Sequence, residues 1–157
     1  MNGTSRGVVW FNRLLLTAAA FIMVMIAFRN LRDPVGATRP LGVVIASPTG
    51  MTVVRVGFGG FPLGFAVAVV ACLVSTERLL GGLYLLASVI GGATFARIQG
   101  LVLDGATPYN VGLLRPEIVL CVLSLVGIAL ERRRRRESLG ATGRGRSIQP
   151  SVVQRGR

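Results

Sequence analysis

Arg55, Arg97 and Glu117 are charged residues set in, or at the edge of, apolar runs, and Asp104 follows Arg97 by seven positions. A charge inside a membrane span costs about 2.5–3.5 kcal/mol on insertion scales, so each of these side chains needs a partner or a task. Two guanidinium groups and one carboxylate at a common level have two uses. They can fix helix register as an ion-pair network, or they can hold an anionic or polar-headed ligand while Glu117 orients them. Snorkelling side chains that never meet are the third option. Chemistry beyond binding has little to work with. The chain contains no His, which removes the commonest general base and the commonest metal ligand. Cys72 and Cys121 lie in separate apolar runs without a CxxC spacing, which argues against a zinc site or a disulfide framework. They read as small apolar packing residues. No nucleophile–base pair accompanies the charged cluster. Neither cofactor nor metal is expected, and the balance leans away from an enzyme.

One glycine-rich string invites a dinucleotide-loop reading: Gly57-Phe58-Gly59-Gly60-Phe61-Pro62. It has Pro62 where the last glycine is required, and it lies inside an apolar run rather than between a strand and a helix, so that reading fails.

The elements that must carry these residues follow from hydropathy. The chain is 52% hydrophobic and only 15% charged, against about a quarter charged in soluble domains. A hydrocarbon core about 30 Å thick needs roughly 20 helical residues. Four runs qualify, at about residues 8–28, 51–74, 79–98 and 113–130. The fold class expected is all-α: a four-helix transmembrane bundle over residues 1–131, followed by a disordered, Arg-rich tail over 132–157. The first run could serve as a signal peptide, but no small-x-small site follows Phe28, so it reads as a retained helix. Residues 29–50 and 99–112 read as Pro/Gly-rich loops, and Ser75–Arg78 as a tight turn in which Ser75 or Thr76 could cap the next helix. Pro62 should kink the second span by denying the carbonyl of Phe58 its partner. Pro116 suits the first turn of the fourth helix.

Charge sets orientation. The eighteen basic residues are all Arg, and residues 132–157 hold nine of them with one acid. Arg132, Arg133, Arg134, Arg135 and Arg136 follow directly on the last apolar run, as a stop-transfer anchor that can contact anionic membrane lipids. Nucleic acid is disfavoured as a partner because no aromatic residues interleave with these arginines. With four spans, both termini and the Arg78 turn fall on the cytoplasmic side. The beginning of the second span, the end of the third and the beginning of the fourth then share the outer side. Arg55, Arg97 and Glu117 are therefore expected at one level, with Asp104 just above. From Glu117 the inward stripe of the fourth helix should be Cys121, Ser124 and Ile128.

Close helix contact in lipid favours small residues. Ser88, Gly92, Ala96 and Gly100 recur at i+4 in the third span, and Gly60, Gly64 and Ala68 in the second. Joined by a four-residue turn, these two faces are expected to pack together, within one chain or between copies.

The run Ser47-Pro48-Thr49-Gly50 through Arg55, Gly59-Gly60 and Leu63-Gly64, then Ala96-Arg97, Gly100, Asp104-Gly105 and Glu117, resembles the bacterial domain-of-unknown-function family 4345 over about residues 10–130. The resemblance implies a four-helix protein of the bacterial inner membrane without an established activity, and it highlights Arg55, Arg97, Asp104 and Glu117. More distantly the architecture is similar to DoxX-like membrane proteins, some of them linked to quinone-dependent sulfur oxidation. The leading expectation is a non-enzymatic membrane protein that binds a lipid-like ligand or a partner subunit. A quinone-linked redox component and a small oligomeric transporter are the alternatives.

Overall fold

The computed structural model of the chain describes residues 3–146, and every regular element in that range is helical. The first span is α1 (Gly3–Arg32). It stops where Asp33 precedes Pro34, a residue that cannot continue the α1 hydrogen-bond ladder. Asp33 instead caps the short α2 (Pro34–Thr38), its carboxylate accepting from Gly36 N–H at 2.9 Å. A 3₁₀ turn at Arg39–Leu41 closes on Gly42, whose φ of 72° suits a residue without Cβ.

The second span is a composite. Ser47 caps α3 (Pro48–Val54), accepting from Gly50 N–H at 3.1 Å, with Pro48 at the first helical position. A π-helical segment follows at Arg55–Gly60, and then α4 (Phe61–Leu73). The expected disturbance at Pro62 is thus a widened turn. Phe61 N–H donates to the carbonyl of Val56, five residues back, so the register slips just before the residue that has no N–H to give.

Ser75 does not cap the third span. Its hydroxyl accepts from Glu77 N–H within the turn, and Arg78 occupies the cap position without a side-chain bond. The third span, α5 (Leu79–Leu103), runs five residues beyond the expected end. Gly105 turns the chain at φ 93°. Thr107 then accepts from Asn110 N–H as α6 (Pro108–Arg146) begins. The expected loop over 99–112 therefore shrinks to a few residues, and Pro116 lies inside α6 rather than in its first turn. The helix carries straight through the arginine run to Arg146. Residues 147–157 of that tail lie outside the described residues.

Four helical segments are long and apolar enough to cross a membrane: 5–32, 48–73, 79–103 and 108–138. Their apolar residues are not confined to the interior. Trp10, Phe21, Phe28, Phe61, Phe95 and Val102 are all exposed. Such a surface is costly in water but matches hydrocarbon. The buried core gathers at the end of the bundle that holds the α4–α5 turn, around Leu16, Ala19, Val69, Leu79, Leu83 and Leu86. Ser124 and Ile128 of α6 are buried and Cys121 is half-buried, as the inward stripe requires.

Helix pairing differs from expectation. The most extensive contacts join α1 to the second span and α5 to α6; α4 and α5, although consecutive, touch less. The small-residue stripes are not the contact faces. Gly60, Gly64, Ser88, Gly92 and Ala96 are exposed, and a Cβ added at Gly64 or Gly92 would meet nothing within 4 Å; at Gly100 it would meet only Asp104 of its own helix. The reason lies in α5, whose buried line is Leu79, Leu83, Leu86 and Ile90, turned away from the Ser88 stripe. The close approaches occur at other glycines. A Cβ at Gly82 would lie 2.9 Å from that of Cys72, one at Gly127 2.9 Å from Asn12 Oδ1, and one at Gly59 2.7 Å from the Leu31 side chain.

Candidate functional site

At the end of the bundle opposite the α4–α5 turn, α5 and α6 deliver Arg97 and Glu117 to each other. Arg97 Nε donates to Glu117 Oε2 at 2.8 Å and Nη2 to Oε1 at 2.7 Å. This is a two-pronged fork between a planar guanidinium and a carboxylate, stronger and more directional than a single contact. Both side chains are partly shielded, at 25% and 18% exposure. Arg55 does not join them. It starts the π-helical segment, is exposed, and its Nε donates to the carbonyl of Leu31 near the end of α1, at 3.3 Å. That bond satisfies a carbonyl in the last turn of α1, which has no partner within its own helix. Asp104 is exposed just past α5 and has no ion-pair partner among the described residues. Of the four charged residues singled out by sequence, two therefore meet.

A groove lies beside the widened turn. α4 and α5 touch near their connecting turn and leave a cavity of about 590 Å³ further along. One wall is Gly60, Gly64 and Ala68, the other Leu85 and Val89, with Met23 contributed by α1. A smaller depression of about 370 Å³, lined by Leu31, Arg55, Val56, Gly60 and Phe61, adjoins it through Gly60 and Phe61. An apolar trough with a guanidinium beside it can hold an amphiphile: a hydrocarbon chain along the glycine wall and an anionic head near Arg55.

A second charged cluster lies at the other end of the bundle. Glu131 is fully buried. Arg134, one turn on, grips its carboxylate with Nε at 2.9 Å and Nη2 at 2.5 Å, and Arg135 Nε reaches Oε1 at 3.2 Å. Asn12 of α1 lies 3.5 Å from Oε2 through its amide nitrogen. Arg135 also donates to the carbonyl of Glu77 in the α4–α5 turn, and Arg132 stacks over Tyr84 at 5.5 Å. Four segments are thereby tied at one point. Sequence reasoning treated the arginine run as one anchor and gave Glu131 no role. The available signal was a lone acid three and four residues ahead of arginines on a helix, facing an Asn on an otherwise apolar stretch of α1.

Residues 11–128 fit the family described as Domain of unknown function (DUF4345). The chain belongs to this family. The DUF4345 match covers three quarters of the chain (118 of 157 residues) and takes in Arg55, Arg97, Asp104 and Glu117. It stops before Glu131 and the arginine run, so the second cluster straddles its edge: Asn12, Glu77 and Tyr84 lie inside the matched segment and Glu131 and the arginines beyond it. No curated protein and no solved structure matches the chain.

Proposed function

We propose that this DUF4345 protein is a non-enzymatic protein of the bacterial inner membrane, with both termini cytoplasmic, that holds a lipid-like ligand in the groove between α4 and α5. The observation carrying this reading is the apolar cavity of about 590 Å³ beside the π-helical turn, walled by glycines whose missing side chains leave the space open. π-helical turns interrupt regular hydrogen bonding and occur frequently at functional sites. Arg55, in the adjoining depression, supplies the charge that an anionic head would seek. Arg97 and Glu117 satisfy each other in a closed fork, which suits a lock on helix register rather than a ligand contact.

The test uses a photoactivatable long-chain fatty acid and the detergent-solubilised protein. Gly64→Leu puts a side chain into the groove from a position where a Cβ meets nothing within 4 Å. Labelling of α4 should fall at least tenfold in G64L, and Arg55→Gln should weaken capture of the acid but not of the matching alcohol. Unchanged labelling in G64L sinks the proposal. The exposed small-residue stripe supports a second reading, in which the groove seats another copy of the chain. A disulfide-linked dimer formed efficiently through Gly64→Cys, with no fatty-acid labelling, would decide for it. Co-purified quinone would instead favour the redox alternative.

A further inference from the structure

The arginine run does not act as a uniform patch. Arg132 lies over Tyr84, and Arg135 is bound by Glu131 and the Glu77 carbonyl. Arg136 is exposed and, among the described residues, has no partner. The remaining two face a cavity of about 270 Å³ where α1 begins and α6 leaves the bundle, lined by Ser5, Val8, Leu130, Arg133, Arg134 and Glu137.

This cavity changes character along its depth. Val8 and Leu130 lie toward the spans; Ser5, Arg133, Arg134 and Glu137 lie toward the chain ends. The donors are not exhausted. A guanidinium has five N–H groups. Glu131 takes two from Arg134, and because that carboxylate is buried and held from behind, it fixes where the remaining three point. Arg133 gives one to Glu137 at 3.0 Å, in a pair that is largely solvent-exposed. Such a pair is weak and readily exchanged. The Ser5 hydroxyl adds a further donor.

We propose that this cavity binds the phosphodiester headgroup of an anionic membrane lipid, with Arg134 as a pre-positioned contact, Arg133 as a second contact released from Glu137, and Ser5 as a neutral donor. Val8 and Leu130 meet the beginning of the acyl chains. The step from apolar to cationic lining matches the boundary at which a phospholipid changes from tails to head. The site shares no lining residue with the groove and does not depend on it.

The experiment titrates the full-length protein, in a neutral maltoside detergent, with short-chain phosphatidylglycerol, and follows binding by native mass spectrometry. Arg133→Gln should lower affinity about tenfold, while Arg136→Gln, which removes the same charge at a position that does not line the cavity, should change it less than twofold. Glu137→Gln should raise affinity severalfold by freeing Arg133. Arg133, Arg136 and Glu137 are all exposed, so these variants should fold, which helical circular dichroism checks. Equal losses in R133Q and R136Q would reduce the effect to diffuse charge and overturn the site. Equal affinity for short-chain phosphatidylcholine would overturn the requirement for an anion. Inorganic phosphate binding as tightly as the lipid would overturn the lipid as its occupant.

Discussion

Replacing Glu131 by Gln isolates the charge at the most heavily tied point of the bundle. The carboxylate has no solvent exposure, and its partners Arg134 and Arg135 retain 17% and 35%. Breaking a fully buried ion pair costs about 3–5 kcal/mol, largely because the surviving charge is stranded. Here both guanidinium groups can turn partly toward water, and Gln keeps one oxygen acceptor of the same reach, so part of that penalty is recovered. The expected loss is about 2–3 kcal/mol. Reversible unfolding in mixed detergent and dodecyl sulfate micelles, followed by helical circular dichroism, measures it. Arg133→Gln is the control: its pair with Glu137 is 80% and 66% exposed, and its loss should stay below about 0.5 kcal/mol. Adding Arg134→Gln to Glu131→Gln should cost less than the sum of the single changes, with a coupling of at least about 1 kcal/mol. An E131Q protein within about 0.5 kcal/mol of the parent would refute the reasoning, because the carboxylate would then be replaceable without stranding either arginine.

Other expectations follow from the same geometry. Glu117→Gln should open the fork with Arg97 and cost about 1–2 kcal/mol in the same unfolding assay, near the upper range for hydrogen bonds between helices in membranes; the paired Arg97→Gln, Glu117→Gln protein should recover part of it. Gly82→Val should destabilise by about 1–3 kcal/mol through overpacking, since even a Cβ there lies 2.9 Å from Cys72 Cβ. Gly92→Val, in open space, should fall within about 1 kcal/mol. A reversed order for these two glycines would show that the stripe, not the Leu83 face, makes the contact. Pro62→Ala restores an N–H and should let the π-helical turn relax toward α-helix, seen as reduced fatty-acid labelling of the groove.

The spans were legible because lipid demands long apolar helices with every backbone bond made internally, and hydropathy records that demand directly. The choice of faces was not legible for the same reason. When Phe61 and Val102 may face outward as readily as Leu83 faces inward, apolar pattern no longer marks the core. Spacing of small residues then pointed to Ser88 and Gly92, whereas Gly59, Gly82 and Gly127 make the close approaches. That Glu117 should meet an arginine could be read from charge economy, since an acid and a base on adjoining helices must meet or pay for desolvation; which of Arg55 and Arg97 it would meet could not. Arg55 escaped that logic because a backbone carbonyl, invisible to sequence pattern, satisfied it first. Glu131 escaped because the arginines around it looked like a destination for lipid rather than partners for an acid. The helix continuing past Leu130 was hidden by the same charge density, which suggests disorder unless the i+3 and i+4 pairs to Glu131 are counted.

The length of α6 carries one more implication. Its 39 residues amount to about 58 Å of helix, against about 30 Å of hydrocarbon. The surplus behaves as a stiff spindle rather than a leash, and its azimuth is set inside the membrane by the Leu83 face of α5. Inserting a single alanine between Glu131 and Arg132 would rotate everything downstream by about 100°. The number of arginines would be unchanged, yet Arg132, Arg134 and Arg135 would be turned away from Tyr84, Glu131 and the Glu77 carbonyl, and only the Arg133–Glu137 pair would be kept.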